Sequence, residues 1–219
     1  MITDVLVVGI GGQGVMTAAE AIARAALEAG YEATKTEVTG MSQRGGVVCS
    51  QVRIGERVEA SEIRPGSARL LIAFEAAEGL RWSHYLAPEG CVLLDPWRAV
   101  PPIVSSGVHQ YPADPAGEMR AANRRVHEID ARGIAERIGD GRLANSVMLG
   151  AAASSLPFPE QNLRNQVLRR FGSGEIAAQN AAAFDAGRAL ALAARFFPPQ
   201  AVAATEGKPA SAIASSASS

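Results

Sequence analysis

Four glycines near the start of the chain lie where a strand meets a helix. Gly9, Gly11 and Gly14 have the Gly-x-Gly-x-x-Gly spacing, and Gly12 lies between them. Such glycines permit a tight turn, and the helix N-terminus offers N–H groups to an anion. A dinucleotide site also needs an acid at the end of the second strand, where Glu37 is the only candidate and comes slightly late. The turn therefore either binds an anion or is kept for packing, facing another subunit.

A second candidate site is the glycine-punctuated loop that follows the second strand. Its centre contains Ser42, Gln43 and Arg44, followed by Gly45. A loop flanked by glycines can bring the forked donors of an arginine to a carboxylate or a phosphate. We predict either that this loop reaches a bound ligand across a subunit boundary or that Arg44 forms an interdomain ion pair. Glu37 would orient Arg44 or face the partner.

The other residue types that bind metals or act in catalysis lack the necessary spacing. Cys49 and Cys91 are isolated, so they cannot supply four ligands to an iron–sulfur cluster or a zinc ion. We predict that both are buried, apolar thiols. No two histidines share a ligand spacing, and we predict structural roles for His84, His109 and His127. We predict no metal site in this chain.

Composition excludes several classes of function. The 219 residues have a formal net charge of −1 and a pI near 6.3, which give no electrostatic case for binding nucleic acid or an acidic membrane. No apolar run approaches the ~18 residues that indicate a membrane helix. The first residues enter a strand without a preceding basic segment, so we expect no signal peptide and a cytoplasmic protein with reduced thiols.

The hydrophobic pattern predicts an α/β fold: a Rossmann-like doubly wound sheet with an inserted β-hairpin and a helical C-terminal part. We predict strands at residues 5–8, 32–38, 47–54, 57–63, 70–74, 91–94 and 126–130. We predict helices from residue 15 to the stop at Gly30, and at residues 75–86, 145–156, 160–171 and 175–197. Gly55-Glu56 suits a two-residue turn, so the third and fourth strands would form the hairpin.

The remaining segments are predicted to connect or to end the domain. Residues 100–123 are rich in proline and indicate a connection with a short edge strand. One domain is expected over residues 1–198. Residues 199–219 are rich in alanine and serine with little bulky apolar content, which is typical of a disordered tail.

The combination of these motifs resembles a known family. Residues 9–14, the loop through residues 37–46, the hairpin and a helix start at residues 145–150 resemble the gamma-type domain of the pyruvate/2-oxoacid:ferredoxin oxidoreductases. The chain looks most like the small (beta) subunit of indolepyruvate-type enzymes, over roughly residues 3–190. Residues 9–14 alone are common elsewhere, but their combination with the Ser-Gln-Arg-Gly-Gly loop is more specific.

The resemblance implies a division of labour between subunits. Thiamine diphosphate, Mg²⁺ and the [4Fe–4S] clusters would belong to a large partner subunit, with ferredoxin or a similar electron acceptor. The small subunit would shape the active-site region, in some members near coenzyme A. Residues 139–141, Gly-Asp-Gly, resemble the start of a thiamine diphosphate metal motif, but the required pair of adjacent asparagines does not follow. We predict a turn between two helices there.

Three functions of different class remain open at this point. The first is a subunit, inactive alone, of an enzyme that oxidatively decarboxylates a 2-oxoacid such as the aryl pyruvate indolepyruvate. The second is a stand-alone oxidoreductase that binds a nucleotide at residues 9–14. The third is a binding or assembly module without catalytic activity. The first is favoured, because the chain lacks a cysteine cluster and a thiamine-anchoring motif.

Overall fold

A single mixed sheet of six strands organises the chain, whose computed structural model describes residues 1–39, 46–99 and 111–197. The strands are β1 (Ile2–Ile10), β2 (Glu32–Thr39), β3 (Val47–Gly55), β4 (Ala68–Ala73), β5 (Leu86–Leu94) and β6 (Arg125–Glu128). They lie in the order β2-β3-β1-β4-β5-β6. Strand β3 runs antiparallel to β1 and β2, whereas β1, β4, β5 and β6 are parallel. The chain thus leaves β1 to one side for β2 and β3 and crosses to the other side for β4.

Seven helices in the described residues cover both faces of the sheet. They are α1 (Val15–Glu28), α2 (Ala76–Trp82), α3 (Pro115–Ala121), α4 (Ala131–Ile138), α5 (Ala144–Ala152), α6 (Glu160–Arg169) and α7 (Glu175–Ala193). Apolar residues of α1 and of α4 to α7 form one core against the first face. Those of α2 and α3 form a smaller core against the second face. The predicted doubly wound α/β fold with a helical C-terminal part is confirmed.

The continuous apolar run in β1 is explained by these two cores. Residues 5–8 are fully buried, and alternate side chains enter opposite faces. Val5 and Val7 pack in the first core, while Leu6 and Val8 pack in the second. A strand covered on both sides needs apolar residues at every position. None of the helices in the described ranges has the length and apolar character needed to cross a bilayer.

The prediction that residues 47–54 and 57–63 pair as a hairpin is wrong for the second of these segments. Residues 57–63 form no strand, and the antiparallel partners of β3 are β1 and β2. Because β3 is paired along both edges, no hydrogen-bonding edge remains for a further strand. The segment instead lies across the second face, where the Val58 N–H donates to the Glu32 carboxylate at 2.8 Å. Likewise, the Ile63 N–H donates to Gln51 Oε1 at 2.6 Å.

Helix α3 replaces part of the segment predicted as a connection with an edge strand. The Asp114 carboxylate accepts a hydrogen bond from the Gly117 N–H at 2.9 Å, and Pro115 is the first helical residue. An aspartate cap followed by proline is a helix-start signal that the proline content of the region obscured. Residues 100–110 and the predicted tail at residues 199–219 lie outside the described residues. The single-domain boundary therefore stays a prediction.

Candidate functional site

The glycine turn after β1 is closed by hydrogen bonds within the chain. The Ile10 N–H donates to Gln13 Oε1 at 2.7 Å, and Gln13 Nε2 donates to the Phe74 carbonyl at 2.7 Å. The Gly11 N–H donates to the Gly46 carbonyl at 2.9 Å. The Gln13 N–H also donates to the Ile10 carbonyl at 3.2 Å, so three backbone donors of the turn are already used. The Gln13 side chain joins the carboxyl end of β1 to that of β4.

Asn145 at the start of α5 holds the far end of this turn. Its Nδ2 donates to the Gly14 carbonyl at 2.9 Å and to the Gln13 carbonyl at 3.3 Å. Gly14 has a φ of 80°, and a Cβ there would lie 2.8 Å from Asn145 Nδ2. Gly12 also has a positive φ, 101°, and a Cβ on Gly9 would lie 2.5 Å from Gln13 Oε1. Close contacts at Gly9 and Gly14 and the positive φ of Gly12 and Gly14 thus account for three of the four glycines, which favours the packing interpretation of the turn.

We expect Asn145→Ala to lower the free energy of unfolding by about 1–2 kcal/mol, because two backbone acceptors lose a buried partner. Asn145→Asp should be worse than alanine. A carboxylate would then place an acceptor against the carbonyls of Gln13 and Gly14, which already face that position. Urea unfolding of the two variants and the wild type measures this order. An equal loss in both variants would contradict the assigned hydrogen bonds.

The inserted strand β3 separates Glu37 from the glycine turn. Neighbouring strands are about 4.8 Å apart, so β2 lies about 10 Å from β1, with β3 between them. Glu37 forms an ion pair with Lys35 at 2.9 Å, and Lys35 also contacts Glu20 of α1 at 2.8 Å. Hydrogen bonds from Lys35 and then Arg24 lower the pKa of Glu20. This arrangement places Glu37 in a charge cluster on the first face of the sheet.

The loop with the predicted residues Ser42, Gln43, Arg44 and Gly45 lies outside the described residues, but its two ends are described. Gly46, the residue that directly follows the loop, contacts the glycine turn through its carbonyl, which accepts the hydrogen bond from the Gly11 N–H. The next residue, Val47, pairs with Ile10 of β1. On the other side, Thr39 pairs with Val48. The two ends of the loop therefore lie at the same end of the sheet as residues 9–14. The roles of the four loop residues stay a prediction.

A cleft of about 870 Å³ opens at this end of the sheet, on the first face. The carboxyl ends of β1, β4 and β5 contribute Gln13, Phe74 and Asp95 to its wall. In an open α/β sheet, this position beside the strand where the chain changes direction is the usual ligand crevice. The opposite wall comes from α1 and the helices α4 to α7, whose contributing residues include Thr17, Leu27, Arg132, Asn145, Leu149, Gln166, Phe171 and Asn180.

Ion pairs balance most of the charge around the cleft. Arg24 contacts Glu20, Arg132 contacts Glu136, Arg142 contacts Asp140, and Arg169 contacts Glu28. The last pair joins the end of α6 to the end of α1, so it bridges the cleft. The remaining wall is mainly uncharged and includes three aromatic rings and four side-chain amides, together with Asp95 and Arg170. This lining suits an organic molecule or a segment of a partner better than a highly charged ion.

Asp95 is the buried carboxyl group of the cleft, and its position was not predicted. It follows β5 and is 3% exposed, with the Trp97 N–H donating to Oδ1 at 3.2 Å. Burial raises its pKa to about 6, and Asp130 contributes in the same direction. The Arg132 guanidinium lies 5.1 Å from the centre of the Trp97 ring. The signal in the sequence was an acid directly after a buried parallel strand, a position that faces the crevice.

The predictions of buried thiols and of a turn at residues 139–141 agree with the structure. Cys49 and Cys91 are buried free thiols, and burial raises their pKa values to about 12 and about 11. Such thiols remain protonated and are poor metal ligands. The Asp140 carboxylate binds Arg142 and caps the turn between α4 and α5, as predicted for residues 139–141, so it does not fit a cofactor metal. Within the described ranges, no three acidic, histidine or cysteine side chains cluster to hold a metal.

Two of the three histidines have structural surroundings, and His109 lies outside the described residues. The His127 ring on β6 stacks on Phe196, with 4.3 Å between ring centres. Burial lowers the pKa of His127, and the nearby Arg125 and Arg120 act in the same direction. His84 Nδ1 lies 2.9 Å from the Arg81 carbonyl within its own helical turn. Neither ring lines the cleft.

Comparison with known proteins decides the family. The sequence model of the family described as pyruvate ferredoxin/flavodoxin oxidoreductase matches residues 4–190. The chain belongs to this family. It is 38% identical over 168 residues to the indolepyruvate oxidoreductase subunit IorB of Archaeoglobus fulgidus, which covers 75% of this chain and 83% of that protein. IorB of Thermococcus kodakarensis is 36% identical over 162 residues, covering 71% and 79%.

Among solved structures, the gamma subunit of a keto/oxoacid ferredoxin oxidoreductase from Geobacter sulfurreducens has the same fold. The TM-score is 0.64 at 24% identity, over 87% of this chain and 99% of that one. The prediction of a gamma-type small subunit of the 2-oxoacid oxidoreductase family is therefore confirmed. The stand-alone nucleotide-dependent enzyme is not favoured.

Proposed function

We propose that this chain is the small subunit of a cytoplasmic 2-oxoacid:acceptor oxidoreductase that oxidatively decarboxylates an aryl pyruvate such as indolepyruvate. The supporting observation is its 38% identity to an indolepyruvate oxidoreductase subunit over most of both chains. The partner is a large subunit that carries thiamine diphosphate, Mg²⁺ and [4Fe–4S] clusters, and ferredoxin or a similar protein accepts the electrons. The isolated small subunit is inactive.

The chain contributes a shaped surface to this complex. The glycine turn, the ends of the loop at residues 40–45 and the cleft lie at the same end of the sheet, where β1, β4 and β5 have their carboxyl ends. A single partner surface can therefore cover all three. Thiamine diphosphate, held by the partner, supplies the chemistry at the keto carbon. Residues Ser42, Gln43 and Arg44 would position an anionic group of the substrate or of coenzyme A, which we propose as the acyl acceptor. The cleft would exclude water around the bound molecule.

Co-expression tests the proposal directly. The chain is produced alone and together with the thiamine-dependent large subunit encoded in the same genome, and reduction of ferredoxin is measured with indolepyruvate, phenylpyruvate, pyruvate and 2-oxoglutarate. We expect activity of the co-purified complex alone, with the two aryl pyruvates preferred. Activity of the isolated chain with a nicotinamide cofactor would contradict the proposal. A complex that forms but shows no turnover with any 2-oxoacid would support an assembly module instead.

Arg44→Ala should lower kcat/KM of the complex about 30- to 150-fold, because a charged hydrogen bond to an anion contributes about 2–3 kcal/mol. Arg44→Lys should recover only part of the loss, since lysine cannot bind in the same forked manner. The matched control is Arg57→Ala. Its side chain is 80% exposed and pairs with Glu59 at the opposite end of the sheet. A fall in the melting temperature of the lone Arg44→Ala subunit by many degrees would identify a structural arginine instead.

A further inference from the structure

The two edges of the sheet are protected to different degrees. At one edge, β6 has four residues, and charged Arg125 and Glu128 stand at its exposed ends. The Phe196 ring packs on His127 in the middle of the strand. A short, charged and partly covered strand is a common means of preventing edge-to-edge pairing. Strand β2 at the other edge has eight residues, Glu32–Thr39.

Strand β2 lacks the features that block pairing. It contains no proline, and its register with β3 runs without a bulge from Glu32 opposite Gly55 to Thr39 opposite Val48. Its one lysine, Lys35, is directed inward to Glu20 of α1. An extended edge of this length presents unpaired backbone N–H and C=O groups along one side. Val38 near its end is 48% exposed.

We propose that β2 pairs antiparallel with β2 of a second copy of this chain, about a twofold axis at Thr36. A continuous sheet requires that residues opposite each other point to the same face. With Thr36 opposite its own copy, Lys35 lies opposite Glu37, and Thr34 lies opposite Val38. Lys35 and Glu37 both point to the first face, whereas Thr34, Thr36 and Val38 point to the second, so the register satisfies this requirement.

Charge and apolar contacts in this register favour a second copy as the partner. Within one chain, Lys35 already pairs with Glu37 at 2.9 Å. In this register each Lys35 also lies opposite Glu37 of the other chain, so opposite charges face each other on both sides of the axis and no like charges do. In the proposed dimer, the Thr34 methyl group of one chain would cover the exposed Val38 side chain of the other. The proposal does not depend on the reaction that the family carries out.

Cysteine cross-linking of the full-length chain tests the register. In Thr36→Cys, the two new thiols face each other across the axis with Cα atoms about 4.5–5.5 Å apart, within reach of a disulfide. Thr34→Cys is the matched control on the same strand and face. Its copies are offset by about 13 Å along the strand, too far to link. The native thiols of Cys49 and Cys91 are buried, so they do not compete.

We expect the wild type to have twice the 22.8 kDa chain mass in sedimentation experiments. Mild oxidation should convert most of Thr36→Cys into a covalent dimer and leave Thr34→Cys single on a non-reducing gel. Circular dichroism checks that both variants are folded. A monomeric wild type together with no Thr36→Cys dimer would overturn the proposal. So would equal linking of both variants, or linking of Thr36→Cys to the large subunit in the co-expressed complex.

Discussion

Replacement of Gly150 or Gly187 by alanine is expected to lower the free energy of unfolding by about 3 kcal/mol, at the upper end of overpacking effects. The two glycines lie where α5 crosses α7 in the first core. A Cβ on Gly150 would overlap the Phe184 carbonyl of α7, and a Cβ on Gly187 would overlap the Val147 carbonyl of α5. Because the obstacle is backbone on both sides, the helices themselves would have to separate.

Intrinsic helix propensity predicts the opposite sign, since alanine is about 1 kcal/mol more favourable than glycine inside a helix. Gly141→Ala is the matched control, because its Cβ would meet nothing nearer than Glu136 Oε1 at 3.5 Å. Urea unfolding measures all three variants. If Gly150→Ala and Gly187→Ala were as stable as Gly141→Ala, the close crossing of α5 and α7 would be contradicted.

Asp95→Asn should change how the stability of the chain depends on pH. Burial raises the Asp95 pKa from 3.8 to about 6, so between these values the folded chain binds more protons than the unfolded chain. The contribution of Asp95 to stability therefore falls as pH rises through this window, by about 3 kcal/mol in total. Asparagine carries no charge at any pH and can still accept the Trp97 N–H bond. The variant should match the wild type near pH 4 and exceed it at pH 7.

A control with the opposite sign separates this effect from the general influence of pH. The hydrogen bond from Arg164 lowers the pKa of Asp185, so that carboxylate stabilises the fold above its unfolded pKa, and this contribution is lost as pH falls. Asp185→Asn should then be less stable than the wild type at pH 7 and equal to it in acid. Urea unfolding at several pH values measures both variants. Parallel curves for Asp95→Asn and the wild type would show that Asp95 is not buried as described.

Strong local signals made much of the fold predictable. Apolar runs and the helical period identified most strands and helices, because burial on one or two faces leaves a direct pattern in the sequence. The local rule failed at residues 57–63, which alternate like a strand but have no free strand edge to pair with. It also failed at α3, where Asp114 and Pro115 start a helix inside a segment that proline content had suggested to be irregular.

The sequence by itself indicated the family, through a resemblance that combines several motifs. It also predicted the glycine turn and the burial of both cysteines, because these depend on residue types at short spacing or on composition. Only the tertiary structure brought Asn145 to the glycine turn, placed Asp95 in the cleft and set β3 between Glu37 and residues 9–14. These are contacts between segments far apart in the chain. One sequence carries no direct record of them, because the partner of a strand edge or a buried polar group is decided by how all the elements pack together.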